Sequence, residues 1–222
     1  MKKKKIIVTI DGPAGSGKTT VASLTAGKLG YLHIDSGSMY RGLTWKVLQK
    51  KINLNDTPGI IKTVRRTKLV LKQGRGKNKV LIDGKDVTAK LRTAEINANI
   101  NTVAAIPAVR QCLMKIQHWL GKKGGIVMEG RDIGTVVFPR AEKKFYLDAS
   151  IKERAVRRFK ELREAGKRAD LADIERSIRR RDKKDQTRRT HPLRIPEDAV
   201  VIDTTGLSIK QVTARILEEI EK

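Results

Sequence analysis

An apolar run, Ile6-Ile7-Val8-Thr9-Ile10, leads through Asp11 into Gly12-Pro13-Ala14-Gly15-Ser16-Gly17-Lys18-Thr19, and Val21, Leu24, Thr25 and Leu29 then recur at helical spacing. The octet satisfies G-x-x-x-x-G-K-[ST] at every specified position, between a β-branched strand and a helix, which is the setting the motif needs. In such a loop the backbone N–H groups turn inward around phosphates, and glycines permit the tight turns and the close approach. Lys18 is then placed to reach the outer phosphates and the Thr19 hydroxyl to sit on Mg²⁺. The helix beginning near Lys18 aims its unpaired N–H groups at the same anion. An ordinary Gly-rich turn is the alternative. Strand, full motif and helix together favour a phosphate loop.

The 222 residues suffice for one α/β domain with inserted subdomains and a substantial core. No apolar run has membrane-spanning length, and Met1-Lys2-Lys3-Lys4-Lys5 leads straight into a strand without the apolar segment of a secretory signal. Neither a membrane partner nor export is therefore expected. The single cysteine, Cys112, cannot form an internal disulfide, which fits a reducing cytoplasm; its helical apolar setting reads as packing. Lys and Arg number 49 against 24 Asp and Glu, a formal charge of +25, and such a field attracts polyanions. Aromatic residues make up only 4%, too few for a platform that stacks single-stranded nucleic acid. No specific nucleic-acid partner is expected, although weak non-specific polyanion binding is compatible with the charge.

Strands are expected at Ile6–Ile10, Tyr31–Ile34, Ile126–Met128, Lys144–Leu147 and Ala199–Ile202, alternating with helical patterns. The helices run over about Ser38–Gln49, Thr93–Thr102, Pro107–Leu120, Ile151–Ala165 and Asp170–Lys184, with a last one opened by Ser208. A further short helix, capped by Asp56 with Pro58 just inside it, runs to about Arg66. Between these, Thr67–Lys72 and Asn78–Ile82 read as strands around the turn Gln73–Lys77, and Asp83-Gly84 is a second turn. The expected class is α/β, a mainly parallel sheet covered on both faces, interrupted by a small antiparallel sheet.

Ligands of doubly wound sheets bind beyond the carboxyl ends of the strands. Gly12–Thr19, Asp35-Ser36-Gly37 and Glu129-Gly130-Arg131-Asp132 occupy those places. Glu129 ends an apolar strand as does the acid that positions Mg²⁺ in phosphate-loop enzymes; a solvated strand end is the alternative. Arg131 and Asp132 can contact ligand or form a structural ion pair. Arg154 and Arg158 share a helical face, with Arg157 beside it, and Arg181, Asp185 and Arg188 fall on one stripe. Guanidinium groups grip phosphate with paired N–H bonds, so the second set favours function. His33, His118 and His191 are widely separated and lack a zinc pattern, so packing or surface roles are expected; Trp45 and Trp119 read as core.

The order of these motifs resembles the bacterial cytidylate kinases, within the nucleoside monophosphate kinases. Ile10-Asp11-Gly12-Pro13 opens the series, and Asp35-Ser36-Gly37-Ser38-Met39-Tyr40-Arg41 is similar to the family's D-[ST]-G-x-x-Y-R. Asp83-Gly84-Lys85-Asp86-Val87, Leu91-Arg92-Thr93, Glu129 through Val137 and Phe145-Tyr146-Leu147-Asp148-Ala149 follow. Arg181-Asp182, Asp185, Pro192-Leu193 and Ile202-Asp203-Thr204-Thr205 complete it, so the likeness runs from about residue 6 to residue 216.

The resemblance implies a phosphate-loop kinase fold: a five-stranded mainly parallel sheet flanked by helices, a monophosphate-binding part with its own small sheet, and a short helical lid. By this reading the core is 1–36, 104–152 and 189–222, the monophosphate-binding part 37–103 and the lid 153–188. ATP would be bound by Gly12, Pro13, Ala14, Gly15, Ser16, Gly17, Lys18, Thr19 and Thr20. CMP, and dCMP as a further acceptor, would be held by Ser36, Arg41, Asn101, Arg110, Arg131, Asp132, Arg181, Asp185 and Arg188. Lys18, Arg131, Arg157 and Arg158 would act in the transfer, with Mg²⁺ on Thr19 and, through water, near Glu129. The family implies ATP + CMP → ADP + CDP in a cytoplasmic monomer. Glu129 stands where the family usually has Asp, and Asn101 where it often has Ser. UMP or AMP as acceptor, or a nucleic-acid-dependent ATPase, are the rival readings.

Overall fold

The computed structural model describes residues 5–72, 74 and 78–222. The first four residues of the lysine tail, and most of the turn expected at 73–77, lie outside the described residues. Asp11 closes the first strand, β1 (Ile7–Asp11), and the phosphate-loop motif joins it to α1 (Lys18–Leu29). Then come β2 (Leu32–Asp35), α2 (Ser36–Gln49), α3 (Thr57–Arg66), and the short strands β3 (Leu69–Lys72), β4 (Lys79–Ile82) and β5 (Lys85–Asp86). Helices α4 (Ala94–Ala104) and α5 (Pro107–Gly121) precede β6 (Ile126–Gly130) and β7 (Lys143–Asp148). The chain ends with α6 (Ile151–Glu164), α7 (Leu171–Thr187), β8 (Val200–Asp203) and α8 (Ile209–Glu221).

The main sheet runs β2-β6-β1-β7-β8, and β3-β4-β5 form a separate sheet. Parallel ladders join β1 to β6 (Ile7 opposite Ile126), β1 to β7 (Val8 opposite Lys143) and β7 to β8 (Phe145 opposite Val200). The small sheet is antiparallel, with Leu69 opposite Ile82 and Leu81 opposite Asp86. Expected strands and helices all occur, with ends displaced by at most three residues. A helical turn at Thr88–Lys90 and a wide turn at Ile133–Val137 carried no periodic signal.

The chain divides into two compact units, Met1–Tyr31 with Gly124–Lys222, and Leu32–Lys123. The first is built on β1, whose Val8 and Ile10 are fully buried with Val127 of β6, Phe145 and Leu147 of β7, and Val21, Ala22, Val212 and Ile216 of α1 and α8. Ser208 opens α8 with a capping box, its hydroxyl receiving the Gln211 N–H while the Gln211 side chain accepts from Ser208. The α6–α7 hairpin has its own small core of Ala155, Ile174 and Ile178 with Phe159 and Leu162 packed on it. In the second unit α2 packs on α4, α3 and β4. Gly42 makes that approach possible, since a Cβ there would stand 3.2 Å from both Val80 and Ile82 side chains. Asp56 caps α3 by accepting the Gly59 N–H at 2.9 Å.

One apolar expectation fails, and two others are met only in part, Trp45 being half-buried on α2. Trp119 is 74% exposed on α5, whose buried stripe is Val109, Arg110, Leu113 and Gln117, and Cys112 is only partly buried. The apolar spacing of that helix is satisfied by Val109 and Leu113, leaving the indole on the outer face. Among the described residues no helix is long and apolar enough to cross a membrane. Truncating Phe145, fully buried, to Ala should cost about 3–5 kcal/mol of unfolding free energy, whereas Trp119→Ala should fall within about 0.5 kcal/mol of the parent. Urea titration of both variants checks the contrast.

Candidate active site

The loop from β1 to α1 follows a path that only glycine allows at two points. Gly12 has φ 148°, and a Cβ there would lie 2.0 Å from the Leu147 carbonyl oxygen at the end of β7. Gly15, at φ 80°, sits 3.1 Å (as Cβ) from the Cβ of Arg154 on α6. Helix α1 starts with Gly17 as its N-cap and no side chain bonded to its first N–H groups, which leaves them for an anion. Lys18 is 5% exposed, and its Nζ donates to the Pro13 carbonyl and to Ser16 Oγ at 3.2 Å. Burial, then the cations Arg131 and Arg181, push the Lys18 ammonium well below its usual range; Glu129 and Asp11 pull the other way. An arriving phosphate would supply the negative charge that favours the ammonium form of this lysine. Thr19 and Thr20 are exposed on the first helical turn.

Four carboxylates surround this lysine's side of the first unit. Asp11, completely buried at the end of β1, accepts N–H bonds from Ile133 at 3.0 Å and Gly134 at 2.7 Å. Burial nevertheless raises its pKa to about 6, with Asp132 adding to the rise and the two N–H bonds opposing it. Glu129, opposite Ile10 in the ladder, is buried in β6. Arg131 Nε donates to Asp185 Oδ2 of α7 at 2.9 Å, and its Nη1 to the Gly130 carbonyl at 3.1 Å. Asp132 is met by Arg188 Nη2 at 3.2 Å and by His191 Nδ1 at 3.7 Å. Arg131 and Asp132 are thus not each other's partners. Each is matched to the end of α7.

Of the helix-pair arginines, Arg154 is a buried cross-link. Its Nε donates to Ala149 O at 2.9 Å, and Nη1 to Ala14 O in the loop at 3.0 Å and to Asp182 Oδ2 at 2.6 Å. Arg157 donates to Glu153, to Thr204 Oγ1 at 3.0 Å and to Thr204 O at 2.6 Å. Arg158 is exposed and pairs with Glu161. Arg181 is half-buried on α7 and is felt electrostatically by Lys18.

The second unit carries the remaining expected residues. Asp35 caps α2, accepting from Ser38 N at 3.0 Å, and this seats Ser36, 5% exposed, in the first turn. Gly37 leaves room under Arg41, whose Nη1 would lie 2.9 Å from a Cβ at that position. Arg110, 2% exposed on α5, stacks 5.3 Å above the Tyr40 ring and donates to Ala104 O at 3.2 Å. Asn101 is half-buried on α4. Sequence reasoning missed the role of Asp11 and the cross-link made by Arg154, because their partners lie far away in the chain; Arg154 and Asp182 are 28 residues apart.

A glycine loop with a buried lysine at the carboxyl edge of a parallel α/β sheet defines the class: a phosphate-loop kinase fold. A profile of the cytidylate kinase family matches residues 8–222, and the chain belongs to that family. It is 46% identical to the cytidylate kinase of Caldicellulosiruptor saccharolyticus over 215 residues, covering 97% of this chain and 95% of that one. With the cytidylate kinase of Bacillus subtilis it shares 44% over 220 residues, 99% and 98% of the two chains. Among solved structures, an uncharacterized protein from Eubacterium ventriosum superposes with a TM-score of 0.52 at 11% identity, covering 98% of this chain and 99% of that one.

Asp11 offers a direct electrostatic check. Its folded-state pKa lies above the unfolded value, so its contribution is most favourable at low pH and is lost as pH rises through about 6. Relative to Asp11→Asn, the parent should lose about 2–3 kcal/mol of stability between about pH 4 and 7. Denaturant unfolding of both proteins across that range measures it, and a constant difference would contradict the assignment.

Proposed function

We propose that this protein is an ATP-dependent CMP kinase, transferring the γ-phosphoryl group of ATP to CMP, with dCMP as a second acceptor, in the cytoplasm and as a monomer. The observation that carries this is the buried Lys18 in its glycine loop, placed in one electrostatic group with Arg131 and Arg181, within a chain that belongs throughout its length to the cytidylate kinases. Gly12 through Thr20 hold the donor phosphates. Ser36, Arg41 and Arg131 take the acceptor phosphate, Arg181, Asp185 and Arg188 the ribose side, and Arg110, Asp132 and Asn101 the base. We take 37–103 as the monophosphate-binding part and 153–188 as a lid.

The residues fit a magnesium ion that arrives with the nucleotide. Thr19 offers an exposed hydroxyl at the loop, and Glu129 a hard oxygen donor set back in β6, while no group of three His, Cys, Asp or Glu among the described residues could cage a metal by itself. When bound, the ion neutralises charge on the terminal phosphates. The acceptor oxygen belongs to a phosphate largely ionised near neutrality, so no general base is required. What the chain supplies is alignment and charge neutralisation. Lys18 exchanges the Pro13 carbonyl for phosphate oxygen. Arg157 and Arg158 must leave Thr204 and Glu161 to reach the transferring group, which makes their action a property of lid closure. An arginine facing the ring nitrogen and carbonyl and a carboxylate facing the exocyclic amine suit cytosine. Uracil reverses the polarity of the second group and leaves buried partners unmatched.

A coupled assay with CMP, dCMP, UMP and AMP should give the highest kcat/KM for CMP; a preference for AMP would overturn the acceptor. Lys18→Ala should lower kcat at least about a hundredfold with the fold retained by circular dichroism. Turnover like that of the parent would remove the lysine from the transfer.

A further inference from the structure

The residue that follows the α7 arginines has no role so far, and its conformation is costly. His191 adopts φ 51°, in the left-handed region, although it is neither glycine nor asparagine and stands immediately before Pro192. A non-glycine residue in that region is uncommon, and a following proline ordinarily pushes its predecessor to extended backbone. Such strain persists where the surroundings over-determine it. Here they do so from both sides. Arg188 Nε donates to the His191 carbonyl, and the Leu193 N–H reaches back to the Asp185 carbonyl at 2.8 Å. The consequence is that the imidazole is delivered to Asp132, with Nδ1 3.7 Å from Oδ2, while Arg188 takes Oδ1 at 3.2 Å. Asp132 is 7% exposed at its side chain, and each of its oxygens faces a basic group of the same tight turn.

We propose that His191 is a specificity-determining positioning residue: its ring holds the Asp132 carboxylate at the place where that carboxylate reads the exocyclic amine of the acceptor base. The inference rests on the base-reading role of Asp132 given above. At 3.7 Å the imidazole makes a charge contact rather than a hydrogen bond, so Asp132 keeps its lone pairs for an amino group while its rotation is restrained. A pyrimidine bearing an oxo group at that position meets a fixed anion that cannot turn away. Charged groups that face this pair include Arg188, which is cationic throughout, and Asp11, whose charge is coupled to that of Asp132. Imidazole changes charge between about pH 5 and 8, and the cationic ring holds the carboxylate most firmly. Discrimination is therefore greatest on the acid side.

The ratio of kcat/KM for CMP to that for UMP, measured between about pH 5.5 and 8, isolates the base-facing groups because the phosphate ionisation is common to both substrates. For the parent the ratio should fall as pH rises. In His191→Asn, which tolerates the left-handed backbone without a titrating ring, it should be flat with pH and about three- to tenfold lower at the acid end. His191→Gly, which relieves the backbone and removes the ring, should behave likewise, with thermal unfolding of each variant as the control for fold. A pH-independent ratio in the parent overturns the proposal without any variant. Parent-like ratios in both His191 variants, with Asp132→Ala lowering the ratio, also overturn it and leave the base-reading role of Asp132 intact. An unchanged ratio in Asp132→Ala removes that role, and the inference with it.

Discussion

One guanidinium ties together the parts of the first unit that have to be held in register. Arg154 leaves α6 where the chain has just turned from β7. Its bonds go to the carbonyl at that turn, to the Ala14 carbonyl in the phosphate loop and to Asp182 on α7. At 4% exposure the cation cannot fall back on water, so its acceptors must be in place together. Removing one member of such a pair typically costs about 3–5 kcal/mol, because the other is left charged and buried. The absence of a Cβ at Gly15 is what lets the two backbones come close enough. Thr204 repeats the device on the other side, accepting from Arg157 and donating to the Asp148 carbonyl. The loop is therefore not a free surface turn; its shape is set by the helix pair packed against it.

This has an electrostatic corollary. Lys18, Arg131 and Arg181 are like charges in one group, offset by Asp11, Glu129 and Asp185, with burial opposing the charges of Asp11, Lys18 and Arg131. Carboxylates from β1, β6 and α7 are interleaved with the cations and offset part of their repulsion. A phosphate entering the loop would relieve the strain rather than add to it, since it supplies the anion for which the N–H groups and the lysine are arranged. Substrate binding and stability are linked in sign as well as in place.

Much of this fold was legible in the chain. β1, the glycine loop and α1 follow from a motif whose spacing and flanking periods leave one arrangement, and Asp56-Thr57-Pro58 announced α3 by capping chemistry alone. Helix and strand ends were less legible, because the last turn is decided by backbone partners: α2 begins at Ser36 rather than Ser38 since Asp35 both ends β2 and caps the helix. Trp119 was misread because an apolar residue at helical spacing need not face the core when Leu113 and Val109 already fill it. Arg131 and Asp132 do stand just past the end of β6, as their place in the sequence led one to expect, but the pairing of the charged residues was not legible. Arg131 and Asp185 are 54 positions apart in the chain, and Asp132 and Arg188 are 56 apart. The part played by His191 is carried by a backbone angle, for which sequence periodicity holds no signal.

The excess of positive charge acts at a different level from these pairs. Arg158 with Glu161, Arg176 with Asp173 and Arg179 with Glu175 are exposed local pairs of the kind worth well under about 1 kcal/mol, and water and salt weaken them further. The pairs Arg131–Asp185, Arg154–Asp182 and Arg188–Asp132 are sheltered, and their geometry should be nearly indifferent to ionic strength. Surplus lysines and arginines, such as Lys62, Arg65 and Arg66 on α3, add to a field that draws anionic nucleotides from solution. With a screening length of about 8 Å at physiological salt, that attraction acts on encounter and fades as salt is added. Salt dependence therefore belongs to the rate at which nucleotides arrive, while the sheltered pairs keep their geometry as salt is added.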